Sequence, residues 1–247
     1  MKSFFKTVDT VDSGMGFSHF DALHITWLAA FLCILILSIL FYRKADDAHR
    51  KQWKRTIVIL LLADELFKVV VLVCTGQYTP AYLPLHLCSI NIFVIAWHAW
   101  KPSKLLGNFL YTVCIPGTMA AMLFPSWTQL PFLNAMHLHS FSVHILLALY
   151  PMVLVTNGEL RPEFSDVFKS LGLLILLAIP VYAINLWLDT NFMFLMYADQ
   201  GNPLYWFGEN WGSHLWGFPV IIAGVLLIMY GPLELYRKTG IKRFRKT

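Results

Sequence analysis

Residues 22–42 read ALHITWLAAFLCILILSILFY, and residues 43–55, which follow at once, read RKADDAHRKQWKR. The first stretch contains no charged side chain and is long enough for an α-helix to cross about 30 Å of hydrocarbon. The second stretch is dense in Lys and Arg, which membrane proteins concentrate in their cytoplasmic loops. This succession predicts a transmembrane helix that ends on the cytoplasmic side.

Six further stretches have a similar apolar character, although the third and fifth spans are more polar than the rest. We predict seven spans in all, over residues 22–42, 56–74, 83–100, 105–124, 139–156, 167–188 and 213–236. Each is close to the roughly 20 residues that a transmembrane helix needs. The predicted fold is therefore an all-α, polytopic transmembrane helix bundle of about seven spans, with residues 1–247 as a single transmembrane domain.

The composition excludes a water-covered globule. Hydrophobic residues make up 57% of the chain and charged residues only 13%, whereas an average soluble domain carries about a quarter charged residues. Lipid must then cover much of the surface. A nucleic-acid-binding function is also disfavoured, because no soluble domain is available to present a basic face.

The positions of the basic residues predict the orientation. With the first loop in the cytoplasm, the only Lys and Arg outside cytoplasmic segments, among nineteen in the chain, are Lys2, Lys6 and Lys68. The outer segments 75–82, 125–138 and 189–212 contain none. We therefore predict a multi-pass protein of the cell membrane, with its N-terminus outside and its C-terminus in the cytoplasm.

The histidines are distributed in the opposite way to the basic loops. Only His49 and His98 lie toward the cytoplasmic side. The other seven fall in the outer half or at the outer surface: His19, His24, His86, His137, His139, His144 and His214. This bias favours a functional outer site over a set of hydrogen-bonded interfacial imidazoles, although the second interpretation stays open.

The third span opens with LPLHLCSIN, residues 83–91. Cys88 and Asn91 are three positions apart and share a helix face, whereas His86 and Cys88 are two apart and do not. If Cys88 is a nucleophile, its base must therefore come from another helix. From spacing alone, a small buried residue is the favoured interpretation of Cys88.

The fifth span supplies candidate bases. His137, Ser140 and His144 follow an i, i+3, i+7 pattern along one face, and His139 lies on another side with Ser142. Such histidines suit a general base, a proton relay or a metal site. No clear third zinc ligand is present, and the His139–His144 interval is not a helical metal spacing. We therefore expect no metal and no cofactor.

Charged residues inside a span are costly and usually have partners. Asp64 and Lys68 in the second span are four apart and are expected to pair, which leaves Glu65 in need of a different partner. The pair suits a structural lock or a transport pathway. In the sixth span Asn185 and Asp189 share a face near the outer end, where Asp189 is placed to orient a histidine.

Two short motifs carry a family resemblance. The LPLHLCS segment at residues 83–89 and the TNFMFL segment at residues 190–195 resemble the signatures of YwaF-like bacterial integral membrane proteins, and most of the chain follows the same order of elements. The sequence departs from the pattern at Phe192 and Phe194, where tyrosines are usual. The family is similar to the eukaryotic transmembrane protein 164, an acyltransferase that forms polyunsaturated ether phospholipids by means of a cysteine.

The resemblance implies a membrane-embedded acyltransferase or transacylase that acts at the outer leaflet on phospholipid or lipoprotein acyl chains. It implies Cys88 as nucleophile and His144 or His139 as base. Residues expected to position the substrate or an oxyanion are His86, Asn91, His137, Asn185, Asp189 and Asn191. The alternative is a transporter or proton-coupled membrane protein that uses the intramembrane Asp, Glu, Lys and His residues.

Overall fold

A computed structural model describes residues 3–198 and 202–238, and within these ranges the regular structure is helical, with no strand. The basic residues predicted in the tail after Lys238 lie outside the described residues. The chain divides into two compact units, one up to Met193 and one from Phe194 onward. The predicted all-α class is confirmed.

The first unit contains seven numbered helices and the second contains two. Their bounds are α1 Ala22–Lys44, α2 Asp47–Cys74, α3 Leu87–Trp100, α4 Lys104–Phe109, α5 Ile115–Leu123, α6 Ala135–Thr156, α7 Val167–Leu188, α8 Pro203–Trp211 and α9 Gly217–Lys238. Single turns of 3₁₀-helix precede three of them, at Pro80–Tyr82, Phe164–Asp166 and His214–Trp216.

Six helical segments of the described chain are long and apolar enough to cross a membrane: Ala22–Lys44, Pro80–Trp100, Lys104–Leu123, Ala135–Thr156, Phe164–Leu188 and His214–Leu235. The remaining predicted span corresponds to α2, which has 28 residues and is the most charged of the long helices. The molecule is a multi-span helical membrane protein with a number of spans close to the predicted seven.

Local capping explains where two helices begin. The Asp21 carboxylate accepts the His24 N–H at 2.8 Å and starts α1. The Asp46 carboxylate accepts the His49 N–H at 2.8 Å, so α2 begins well before residue 56 and includes most of the basic loop. Each cap satisfies an N–H group that the helix itself cannot pair.

The third and fourth spans are irregular near their prolines. Regular helix in the third span starts at Leu87 and not at residue 83, because Pro84 lies in the turn before it. In the fourth span a wide π-helical turn, Leu110–Cys114, joins α4 to α5, and Pro116 lies in the first turn of α5. The wider turn accommodates a proline that cannot donate a backbone hydrogen bond.

Helix α6 is the centre of the first unit. It packs against α1, α2, α3 and α5, and most of its residues are buried. Inside a membrane such contacts depend on close packing and interhelical hydrogen bonds, because lipid is as apolar as the helix surfaces. Polar groups that α6 presents to its neighbours are therefore enclosed.

A segment at residues 3–17 lies against the loop between α5 and α6. The Asn134 amide donates to the carbonyls of Ser3 and Lys6 at 2.7 and 2.8 Å. The Phe17 N–H donates to the Thr128 carbonyl at 2.8 Å. A β-carbon at Gly16 would overlap the Thr128 carbonyl, so the close approach of the two backbones requires glycine at this position. We call residues 3–17 the N-terminal strap.

The strap and the loop enclose an aromatic core. Phe17 and Trp127 are buried in one cluster with Phe141 of α6. The Trp27 ring of α1 stacks on Phe141 with 4.7 Å between centroids and an angle of 1° between planes. This packing fixes the position of Trp127, which bears on the site described below.

The second unit consists of α8, the His214–Trp216 turn and α9, which pack on one another. The Asn202 side chain accepts the Leu204 N–H at 2.9 Å and caps α8. Gly217 begins α9 where a β-carbon would collide with Leu204 and Phe207. The segment that the sequence suggested as an outer loop therefore contains a short helix.

Candidate functional site: a thiol and an imidazole between α3 and α6

A cysteine and a histidine meet where α3 begins. The His144 Nε2 atom lies 3.2 Å from the Cys88 sulfur. Cys88 is the second residue of α3 and is half-buried, and His144 lies within α6 with only 8% of its surface exposed. The contact expected between Cys88 and a fifth-span imidazole is present, and it involves His144.

The hydrogen bonds of His144 define its tautomer. The Nδ1 atom lies 2.6 Å from the Ser140 carbonyl, one helical turn earlier in α6. A carbonyl oxygen only accepts, so Nδ1 carries the ring proton and Nε2 presents its lone pair to the thiol. This arrangement suits a base that takes a proton from sulfur.

Trp127 covers one face of the His144 ring. The two rings stack with 5.2 Å between centroids and 19° between planes. The Trp127 Nε1 atom is buried and has no hydrogen-bond partner among the described residues. Trp127 is not among the predicted site residues, since a lone tryptophan in an outer loop is typical of an interfacial belt.

Asn91 lies one turn after Cys88 on the same face of α3, as its spacing predicts. Its side chain is buried at 2% exposure, and its Oδ1 atom has no hydrogen-bond partner in the described part of the chain. A buried amide oxygen without a partner is uncommon, because its desolvation is uncompensated. Asn91 and Trp127 thus place two unsatisfied polar groups near the thiol–imidazole pair.

His139, the other candidate base, contacts a different helix. Its Nδ1 atom lies 3.0 Å from the Asp64 carboxylate of α2. Neither of these two atoms has a well-aligned hydrogen bond among the described residues. The Ser142 hydroxyl, on the same side of α6, donates to the other Asp64 oxygen at 3.0 Å. The α6 contact of Cys88 is made by His144.

The expected Asp64–Lys68 pair is wrong. Lys68 pairs with Glu65, three positions away and likewise buried, and Asp64 turns toward His139 and Ser142. The spacing rule treats α2 as an isolated helix. In the bundle α2 packs on α6, so Asp64 finds polar partners on a neighbouring helix and leaves Lys68 to Glu65.

The first motif segment and residues 190–192 of the second lie together in the first unit. The His86 and Phe192 rings meet edge to face, with 5.1 Å between centroids. Asn185 holds the second segment in place, since its amide donates to the Phe192 carbonyl and its oxygen accepts from the Phe192 N–H and the Thr190 hydroxyl. The 190–192 segment thereby reaches the turn that precedes Cys88.

One comparison with known proteins gives a match. The model of the TMEM164 family matches residues 16–230. The chain belongs to the TMEM164 family. No curated protein and no solved structure matches it.

The remaining predicted site residues of this TMEM164 family member take other positions. Asp189 ends α7 in a left-handed conformation and is exposed, and it is not among the ion-pair partners of any histidine in the described residues. Asn191 lies next to Phe192 and is half-buried. Asn185 serves the loop itself through the bonds given above, so its predicted contact with substrate stays untested.

Two of the outer histidines are part of the core. The His137 Nε2 atom accepts the Trp27 indole N–H at 2.9 Å, and its Nδ1 donates to the Leu130 carbonyl. The His24 Nδ1 accepts the Phe20 N–H, and its Nε2 donates to the Met122 carbonyl. Both rings are fully buried, so this family member uses part of its histidine excess for packing.

Proposed function

We propose that this protein is a membrane-embedded acyltransferase that moves acyl chains between lipids at the outer leaflet of the cell membrane, through a thioester on Cys88. The observation that supports this proposal most directly is the 3.2 Å contact between the Cys88 sulfur and the unprotonated nitrogen of His144. Phospholipid or lipoprotein acyl chains are the expected substrates, since a half-buried thiol between membrane helices is open to donors that arrive through the bilayer.

The first half-reaction acylates the cysteine. His144 Nε2 takes the thiol proton, and the thiolate attacks the carbonyl carbon of a lipid ester. The tetrahedral intermediate then collapses, and the C–O bond of the ester breaks. The departing alkoxide takes the proton from the His144 imidazolium, so that a lysolipid leaves and a thioester remains on Cys88.

Several groups are placed to stabilise the thiolate, the imidazolium and the oxyanion formed in this step. The start of α3 directs N–H groups without intrahelical acceptors toward negative charge near Cys88. The Trp127 ring lies against His144, where an aromatic face stabilises an imidazolium. The unsatisfied Asn91 amide and Trp127 indole are candidate partners for the substrate carbonyl or its oxyanion.

The second half-reaction returns the acyl chain to a lipid acceptor. The acceptor hydroxyl gives its proton to His144 Nε2 and attacks the thioester carbonyl. The C–S bond breaks, the thiolate regains the proton, and a new ester leaves. The same histidine therefore acts as base and then as acid in each half-reaction.

Intact-mass analysis of the purified protein tests the thioester. After incubation with mixed phospholipids, the wild-type chain is expected to gain the mass of one acyl group, which hydroxylamine removes. Cys88→Ala should show no such gain. Cys33→Ala and Cys74→Ala are matched controls, because these two cysteines are exposed, within α1 and at the end of α2, and both variants should acylate normally.

The outcome against the proposal is equally clear. If Cys88→Ala acylates as readily as wild type, or if the adduct disappears in the control variants, then Cys88 is not the nucleophile. Transfer of a labelled acyl chain to a lysolipid by Cys88→Ala at the wild-type rate would exclude the cysteine mechanism altogether.

A proton-coupled membrane protein is the second candidate, favoured by the contact between Asp64 and His139 inside the bundle. A carboxylate beside an imidazole exchanges protons readily. Proton uptake into sealed liposomes that depends on Asp64, and that Cys88→Ala leaves unchanged, would support this function in place of acyl transfer.

A further inference from the structure

A polar cavity lies near the other end of α3, away from the thiol–imidazole pair. Ten residues separate Cys88 from His98, which places them about 15 Å apart along the helix axis. The cavity has a volume of about 380 Å³. Its floor and rim include His98 of α3, Gly107 and Lys104 of α4, and Glu159 and Arg161 of the loop after α6. We call it the His98 cleft.

The carboxylates of the cleft are already neutralised. Glu159 accepts from the Tyr42 hydroxyl at 2.7 Å and from the Lys54 ammonium at 3.0 Å. Glu163 accepts from Lys104 at 2.7 Å. A cationic ligand would therefore have to displace partners that the protein supplies itself.

Two side chains in the cleft, Arg161 and His98, have donor groups left for a ligand. The Arg161 side chain donates from Nε to the Gly158 carbonyl, and no carboxylate among the described residues lies within 4.0 Å of its guanidinium. His98 is buried and its Nδ1 lies 2.9 Å from the Tyr150 hydroxyl. When that hydroxyl donates to Nδ1, the Nε2 atom carries the ring proton.

The Nε2 atom faces the cleft across Gly107. A β-carbon at Gly107 would lie 3.5 Å from Nε2 and 3.3 Å from the Leu160 side chain. Glycine therefore keeps the floor of the cleft open beside the imidazole. Nε2 has no hydrogen-bond partner in residues 3–198 and 202–238.

The charges around the cleft also favour an anion. Its ion-pair network has three carboxylates and four cations, and the unpaired Arg161 adds a fifth positive charge. The carboxylates are Glu159, Glu163 and Asp166, and the cations paired with them are Arg50, Lys54, Lys104 and Lys169. A guanidinium and an imidazole N–H beside this excess suit the oxygens of a phosphate.

We propose that the His98 cleft binds a phosphate group, held by the Arg161 guanidinium and the His98 Nε2–H. The phosphate belongs either to a lipid headgroup or to a soluble phosphate. The cleft lies among the basic loops that the sequence places at the cytoplasmic face, where phosphate groups of both kinds are present. This binding is separate from acyl transfer at Cys88.

Native mass spectrometry of the full-length protein in detergent tests this proposal with two probes, short-chain phosphatidic acid and inorganic phosphate. Arg161→Gln is expected to weaken binding about tenfold, the effect of losing one charge-assisted hydrogen bond. Gly107→Ala should also weaken it, without any change of charge. Arg55→Gln is the matched control, because Arg55 is exposed at the same end of the molecule and does not line the cleft.

The probes distinguish the sources of the phosphate. Loss of phosphatidic acid binding alone in Arg161→Gln identifies a headgroup, and loss of inorganic phosphate binding identifies a soluble ligand. Cys88→Ala should bind as wild type does, so failure of the acyl-transfer proposal leaves this one intact. Equal affinities in wild type, Arg161→Gln and Gly107→Ala would overturn the proposal, as would an equal loss in Arg55→Gln.

Discussion

Two histidine contacts join α3 and α6, one near each end of α3. They differ in chemistry. At the first end the imidazole of His144 on α6 meets the Cys88 thiol on α3 at 3.2 Å. At the second end the imidazole of His98 on α3 meets the Tyr150 hydroxyl on α6 at 2.9 Å. The two distances are similar, whereas the partners and the surroundings of the two imidazoles differ.

The surroundings decide what each contact can do. Near Cys88 the buried Asn91 Oδ1 and Trp127 Nε1 atoms have no hydrogen-bond partner among the described residues, which suits the binding of a polar substrate group. Near His98 the carboxylates are paired and two donors are unused, which suits the binding of an anion. The chemistry open to each of these histidines therefore depends on its partners and not on the two helices that hold it.

The largest expected difference is that the Cys88 end and the His98 end of α3 lie on opposite sides of the membrane. In a variant without Cys33, Cys74 and Cys88, a cysteine at Gln129 should react with a membrane-impermeant maleimide in intact cells, and one at Gln52 should stay protected. Both positions are exposed in the structure, so access depends on sidedness. Labelling at Gln52 in sealed cells would reverse the predicted orientation and place the thiol–imidazole pair at the inner leaflet.

A second prediction separates the two histidines by activity. His144→Gln should slow acylation of Cys88 by about 10²–10⁴-fold, the usual effect of losing a general base. His98→Gln should acylate close to the wild-type rate, because His98 lies at the other end of α3. Single-turnover intact-mass kinetics measures both rates. Equal slowing in the two variants would mean that the α3–α6 packing, and not the base, controls the reaction.

Stability of the first end should depend on the charged pair of α2. Lys68→Ala leaves Glu65 buried without its cation and is expected to lower the free energy of unfolding by about 3–5 kcal/mol. The double variant Glu65→Gln/Lys68→Met should recover much of this, since it removes both charges. Thermal unfolding in detergent provides the measurement. Unchanged stability together with lost proton uptake would favour the proton-coupled alternative.

The smallest effect is expected at the second end, from Glu159. Burial opposes its ionisation, but hydrogen bonds from Tyr42 and Lys54 outweigh burial, and the pKa of Glu159 lies below its usual value of 4.5. The stabilisation by the ionised group is therefore complete above pH 4.5 and is lost as the pH falls through the lower pKa of the folded state.

Glu159→Gln tests this pH dependence. At neutral pH the variant should be less stable by under about 1 kcal/mol, because the carboxylate is partly exposed and screened. The difference from wild type should shrink below pH 4.5. A difference that stays constant down to pH 3 would show that packing, and not charge, accounts for the effect.

Physical reasons led from the sequence to the spans and excluded His86 as the base for Cys88, whereas the pairing of Cys88 with His144 or His139 came from the family resemblance. Membrane thickness fixes the length of an apolar helix, and the two-apart spacing of His86 and Cys88 required a base from another helix. Sequence reasoning failed for Asp64, because helical spacing identifies the face of a residue and not the neighbouring helix. It also missed Trp127 and the Ser140 carbonyl, since a loop ring and a backbone oxygen leave no pattern in the chain.

The N-terminal strap has a consequence for biosynthesis. The Asn134 amide binds the Ser3 carbonyl, which lies 131 positions earlier in the chain. A chain is made from its N-terminus at about 5–20 residues per second. The strap must therefore wait for its partners until the loop that carries Trp127 has been made. The surroundings of His144 are completed only after α6 has followed, so the Cys88–His144 contact forms only once more than half of the chain has been made.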